Sequence, residues 1–271
     1  MKYILLLTFF WASLVQAAIP KTSMILQRVS ENAGSGIYQI DQEVQFPNGQ
    51  DTLILRETWM IENENNMKLL VTGAKELKDQ ISFFIQIKDG HHVQNGSTRR
   101  LTEDFIERYF HFRSSENFAQ ALAQMKLVPG NVMRQRAPKT VKEIDLQPES
   151  FIRLARTGGT VAYALGSPSV EGQELPGFWI EQDQFVIRKF RLPSKVETTA
   201  DKYSSYARGL MFPRTRVVRW GDNQVTIQTL SVAGKGKETW AQFGQKAVNK
   251  VDALNAQPAA ALVDDFYKRF R

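Results

Sequence analysis

Three histidines, His91, His92 and His111, are the chain's whole supply of imidazole, and there is no cysteine. His91 and His92 are adjacent, so in an extended segment they point to opposite faces, which is wrong for one metal centre. The Asp89-Gly90 pair just before them predicts an exposed hairpin tip. His111, among the aromatic residues of RYFHFR, reads as a helix-surface residue rather than a catalyst. Serine chemistry fares no better: G-x-S-x-G does not occur, and Gly34-Ser35-Gly36 and Gly166-Ser167-Pro168-Ser169 are loop compositions. Gly234-Lys235-Gly236-Lys237 lacks the spacing and the following Ser or Thr of a phosphate-binding loop and reads as a flexible loop. The acids Glu171, Glu174, Glu181 and Asp183 read as surface carboxylates, because nothing in their spacing sets two of them across a scissile bond. No catalytic constellation assembles, so the expectation is a protein that is not an enzyme and has neither cofactor nor metal.

The apolar residues are patterned where the reactive ones are not. In IYQIDQEVQF, Tyr38, Ile40, Val44 and Phe46 share one parity, the signature of a strand with one covered and one wetted face. Pro47-Asn48-Gly49 turns this strand into QDTLILRETWMI, which carries Leu53, Leu55, Trp59 and Ile61 in register. NMKLLVTG and ISFFIQIKDG continue an antiparallel meander. The period then changes: LTEDFIERYFHFR, residues 101–113, places Leu101, Phe105 and Tyr109 four apart, and SSENFAQALAQMKL spaces Phe118, Leu122 and Met125 likewise after a Ser115 cap. These predict a helical pair that interrupts the sheet. Strands resume with VKEIDL, ESFIRLART and GTVAYAL, the hairpin FWIEQDQFVIRKFRL, then KVETTADKY, RTRVVRW and QVTIQTLSV. Short terminal helices are expected in KTSMILQRVSEN and PAAALVDDFYKRFR.

The opening MKYILLLTFFWASLVQA has a basic start, an apolar run and small residues at Val15 and Ala17, as a cleavable signal peptide of residues 1–17 requires. The run is well short of the ~20 apolar residues that span a bilayer. An exported chain without cysteine fits the periplasm of a Gram-negative bacterium, and the remainder, 18–271, reads as a single domain with enough core to stand without disulfides. Asn95-Gly96-Ser97 spells a glycosylation sequon, which carries meaning only in a eukaryotic secretory route. The positive surplus of seven is spread thinly, no nucleic-acid motif occurs, and a solvated surface accounts for it better than an acidic partner. Ten to twelve strands with few helices predict a mainly β (α+β) fold. Its expected form is one strongly curved antiparallel sheet making an incomplete β-barrel, with residues 101–127 as a helical lid.

The order of these parts, with LRETWMIE on the second strand, the IKDGHHV turn, the interrupting helical stretch and the hairpin FWIEQDQFVIRKFRL, resembles the periplasmic lipoprotein carriers of the LolA and LolB type. The resemblance implies a cavity that takes acyl chains beneath a lid formed by ENFAQALAQM. It also implies an Arg-Pro pair after the Trp-bearing strand, with the arginine helping to hold the lid shut; here Asn63-Glu64-Asn65-Asn66 stands instead. The absent lipobox cysteine favours the soluble LolA-like side. The implied function is a periplasmic carrier holding lipoprotein acyl chains or another lipid for transfer toward the outer membrane. Its partners would be that lipid and inner- and outer-membrane envelope proteins, with no nucleic acid, and it would be a monomer. The alternative is a non-transporting sensor or regulatory binding module of the same fold. Tyr38, Phe46, Trp59, Phe83, Phe105, Tyr109 and Leu122 are the candidate cavity or lid residues, being large apolar side chains on the sheet and its cover.

Overall fold

Alternation of apolar and polar residues organises most of the chain. In a computed structural model describing residues 19–94, 96–134, 149–167, 173–245 and 247–271, this alternation becomes thirteen strands in one antiparallel sheet. Residues 1–17, expected as a signal peptide, the strand expected in VKEIDL, Asn95 of the sequon and Glu171 lie outside the described residues. The first meander is β1 (Ile37–Asn48), β2 (Asp51–Asn63), β3 (Asn66–Gly73), β4 (Ser82–Lys88), β5 (His91–Gln94) and β6 (Ser97–Arg100). The second is β7 (Ile152–Thr157), β8 (Thr160–Leu165), β9 (Gly177–Glu181), β10 (Ile187–Arg191), β11 (Glu197–Ser205), β12 (Met211–Trp220) and β13 (Asn223–Lys235). Pairing of β1 with β13 joins the two meanders edge to edge.

The expected strong curl into an incomplete barrel is not what forms. The sheet is open, with β6 and β7 as separate edges, and its apolar face is covered by helices from three parts of the chain rather than by the sheet wrapping on itself. The β1–β2 hairpin follows its sequence closely: Asn48 faces Asp51, and Gly49 takes the positive φ of 68° that a two-residue turn demands at its first position. Strand β6 escaped sequence detection because STRR is exposed throughout and shows no alternation.

The cover consists of α1 (Thr22–Glu31), α2 (Ser115–Gln124), α5 (Ala260–Phe270) and a short 3₁₀ segment, Ile106–Phe110. Helix α1 buries Ile25, Leu26 and Val29 and packs on α2. Helix α2 is capped by Ser114, not Ser115: the Ser114 hydroxyl accepts from the Asn117 N–H at 3.2 Å. The helix expected over 101–113 is absent. Phe105, Ile106, Glu107, Tyr109, Phe110, His111 and Phe112 are all buried and only Arg108 among residues 105–112 reaches solvent, so this stretch has no amphipathic pattern and settles into one 3₁₀ turn. Helix α5 lays Val263, Phe266, Tyr267 and Phe270 on the sheet, with Phe266 edge-on to Phe46 at 5.3 Å and Phe270 edge-on to Trp220 at 4.8 Å.

Two further helices, α3 (Lys237–Gln242) and α4 (Asp252–Asn255), lie between β13 and α5. Gly234 and Lys235 therefore end a strand and Lys237 begins a helix, where the sequence suggests a loop. The stretch after β13 also reaches the opposite face of the sheet, where Lys68 donates to the Trp240 carbonyl at 2.6 Å and Phe84 meets Phe243. No helix among the described residues is long and apolar enough to cross a membrane.

Ser114→Ala removes the α2 cap and is expected to destabilise the protein by about 1 kcal/mol. Chemical denaturation read by circular dichroism checks this, and an unchanged midpoint would show that the cap contributes nothing.

Candidate functional site

All seven candidate cavity residues are buried in one apolar cluster, each packed against its own neighbours. Phe46 and Phe83 face α5, the latter edge-on to Tyr267 at 5.0 Å. Trp59 meets Phe105 in the middle of the sheet. Tyr109 packs on Phe178 and Phe190 at 5.2 and 5.1 Å and donates its hydroxyl to the Glu103 carbonyl at 2.8 Å. Leu122 is fully buried on α2. Tyr38 is core and tether at once: its hydroxyl donates to the Ala207 carbonyl at 3.1 Å and accepts from the Ser35 N–H. A gap here, beside Tyr109, measures about 20 Å³, room for a water and no more. The interface between sheet and cover is thus an apolar seam filled by the protein's own side chains.

Within that seam lies a charged cluster that the sequence reading missed. Glu57 on β2, Glu107 in the 3₁₀ segment, Arg216 on β12 and Arg271 after α5 are all at most 1% exposed. Arg271 Nε donates to both Glu57 oxygens at 3.0 and 3.3 Å, and Arg216 Nη1 donates to Glu107 Oε2 at 2.8 Å. Gln42 on β1 bridges the pairs, its amide donating to Glu57 while its carbonyl accepts from Arg216. Trp59 Nε1 donates to Glu57 Oε2 at 3.0 Å, and Arg271 Nη1 lies 3.6 Å from Glu107 Oε2. Two carboxylates face two guanidiniums, so the formal charges balance. The guanidiniums also lie over aromatic faces, Arg216 on Phe110 and Phe212 and Arg271 on Trp59 and Phe266.

A signal for this cluster is present in the strands. Gln42 sits on the Tyr38-Ile40-Val44-Phe46 parity, Glu57 on that of Leu55 and Trp59, and Arg216 on that of Val218 and Trp220, and Gln42 faces Glu57 directly in the β1–β2 register. One polar residue in the middle of each covered face marks a shared buried site. Glu107 and Arg271 carry no such mark, because only the tertiary fold brings them to the sheet.

Burial alone would push the Glu107 carboxyl up, but Arg216 most strongly, then His111 and Arg271, hold it well below the usual carboxylate range. Burial costs Arg271 some of its affinity for a proton, and Glu57 and Glu107 more than restore it. His111, expected on a helix surface, is fully buried and stacks on Phe212 at 5.4 Å with Nε2 3.4 Å from Glu107. Burial pushes it down, and Arg216 and Arg113 add to that against the pull of Glu107. His92, expected at an exposed tip, is only 5% exposed on β5 and is pushed down to about 4 by burial and then by Arg99. His91 is exposed, in line with the sequence. Glu181 is not a surface carboxylate but a buried partner of Arg188, and Glu174 pairs with Arg191.

At the edge of the seam, the β2–β3 turn holds α2. Glu64, 4% exposed, accepts from Asn117 Nδ2 at 2.8 Å. Where the family resemblance implies an arginine that closes the lid, this chain joins turn and helix with a carboxylate and an amide. Arg113 makes a second tie, donating to the Gly36 carbonyl at 2.6 Å over the Tyr38 ring.

No protein-family model and no curated protein matches the chain. Its neighbours among solved structures include LolA-superfamily, lipoprotein-sorting and DUF1329 proteins. A LolA superfamily protein of Nitrosomonas europaea has 11% identity and a TM-score of 0.46, over 82% of this chain and 97% of that one. A domain assigned to outer-membrane lipoprotein sorting in Vibrio parahaemolyticus has 12% identity and a TM-score of 0.45, over 80% and 95%. A DUF1329 family protein of Desulfovibrio piger has 10% identity and a TM-score of 0.45, over 83% and 96%.

Truncating one partner of the cluster leaves a buried charge uncompensated. Arg216→Met is therefore expected to destabilise by about 3–5 kcal/mol, and pairing it with Glu107→Gln to recover part of that loss in a double-mutant cycle. Purely additive losses in urea denaturation would show that the two residues are not coupled.

The lowered values of His92, His111 and Glu107 share one sign: the unfolded chain takes up protons that the folded one refuses. Their contribution is fully present above the ordinary histidine value of about 6.5 and fades as pH falls below it, through about 4 for His92. Glu107 extends the loss further into acid. Denaturation midpoints should fall steadily from pH 7 to pH 4.5, and a flat or rising profile would contradict the buried placement of these groups.

Proposed function

We propose that this is an exported periplasmic carrier that holds lipoprotein acyl chains or another lipid between its sheet and its cover, for transfer toward the outer membrane. The observation that carries this reading is the seam itself. The covered sheet face and the helices facing it are both apolar, and the covering segments come from separated parts of the chain. Burying an acyl chain gains ~0.8 kcal/mol per methylene, so about fourteen methylenes give on the order of 10 kcal/mol toward parting the seam. Opening would break ties such as Glu64–Asn117 and Arg113–Gly36 and separate Phe46 and Phe83 from α5. Release then needs only an acceptor that binds the lipid more tightly, and no catalytic residue.

A second reading, a non-transporting sensor or regulatory binding module, is favoured by the filling of the seam and by the charged cluster that joins α5 and the 3₁₀ segment to the sheet. Native mass spectrometry with lipid extraction, on protein purified from the periplasm without detergent, separates the two. The carrier reading expects a bound acylated species, or one acquired on adding lipopeptide. A clean apo mass that ignores added lipopeptide would remove the carrier and leave the sensor, whose partner would then be sought by co-purification with envelope proteins.

A further inference from the structure

Beside α2, between the β2–β3 and β4–β5 turns and the loop that follows β6, lies an open cleft of about 1020 Å³. Its walls are polar, but Leu101, Phe112 and Ala121 belong both to its lining and to the apolar cluster or its packed margin. The cleft is therefore the polar mouth of the seam.

Part of its charge is unspent. Two of its carboxylates are engaged, Asp104 pairing with Arg269 at 2.6 Å and Glu64 accepting from Asn117. Arg100, Arg108, Asp89 and Glu103 also line the cleft, and none of the four takes part in an ion pair among the described residues. Arg108 is the most telling. Its guanidinium lies 5.1 Å over the Phe112 ring, at the border of cleft and seam, and its Nε is buried without a hydrogen-bond partner. A buried unpartnered N–H costs free energy unless something accepts from it.

We infer that this cleft binds the zwitterionic head group of a phospholipid, the phosphate on Arg100 and Arg108 and the ammonium on Asp89 and Glu103, while the acyl chain enters the seam past Phe112 and Ala121. The inference rests on the acyl-binding reading above and names its substrate class. A guanidinium suits phosphate because it can donate two parallel hydrogen bonds. A purely anionic head would gain the arginines but face two carboxylates; a neutral head would leave all four charges idle. Only a head carrying both signs satisfies the whole set.

Isothermal titration of the mature protein with three single-chain lipids of equal length tests this: lysophosphatidylethanolamine, lysophosphatidylglycerol and monoacylglycerol, each below its micelle concentration. The expected order of affinity is the order given. Arg108→Gln should weaken both phospholipids about tenfold and leave monoacylglycerol unchanged, and Glu103→Gln should remove the preference for ethanolamine over glycerol. Arg100→Gln, at an exposed position, should repeat the phospholipid loss even if Arg108→Gln folds poorly. Monoacylglycerol binding as tightly as lysophosphatidylethanolamine, or arginine variants weakening all three lipids alike, would overturn the head-group site and leave the carrier intact. Failure of all three lipids to bind the unaltered protein would overturn this site, while the carrier reading would still stand or fall on whether lipopeptide binds.

Discussion

The pairing of Glu57 with Arg271 and of Glu107 with Arg216 is the constraint on which the closed arrangement depends. Each pair joins a sheet residue to a cover residue, and the 3.6 Å approach of Arg271 to Glu107 makes one cluster of the two. Charges taken out of water are tolerable only while their partners stay in place. An apolar seam alone would permit small slides of α5 or of the 3₁₀ segment over the sheet, since the hydrophobic effect has no direction. The charged cluster forbids them, because a slide that parted Arg216 from Glu107 would strand both in an apolar interior.

Around this centre the cover is held mainly by aromatic packing. Phe46, Phe266, Tyr267, Phe270 and Trp220 form one group under α5, and Tyr109, Phe178, Phe190 and Phe118 another near α2. The Glu64–Asn117 and Arg113–Gly36 contacts lie at the margin, where water can compete for them. The centre is therefore costly to open and the margin near α2 less so. That gradient suits a binding protein admitting an apolar chain from one side, with its polar end left in the cleft beside α2.

Much of the fold was legible because strands write their burial into the sequence every second residue. Tyr38, Ile40, Val44 and Phe46, and Leu53, Leu55, Trp59 and Ile61, are all buried as their parity implies. Turns with a specific chemistry, such as Asn48-Gly49, were equally clear. The 101–113 segment misled because four-residue spacing of Leu101, Phe105 and Tyr109 implies an amphipathic helix only if the residues between them meet water. Here Ile106, Glu107 and Phe110 are buried as well, and tertiary packing overrides the local pattern. His92 and His111 misled for the same reason, since polar residue types were read as exposed and proved to be enclosed.

By itself the sequence determined most of the antiparallel strands, the β1–β2 hairpin, α1, α2 and α5, because each follows from local periodicity and turn chemistry. It also held an unread mark of the charged cluster in Gln42, Glu57 and Arg216, each on an apolar parity. Only the tertiary structure decided that the sheet stays open, that the seam is filled, and that Glu107 and Arg271 complete the cluster. Those outcomes depend on segments far apart in the chain, such as β2 and the residue after α5, meeting in a dry interior. There a charge must find its partner across the fold, and no local pattern of residues records which one.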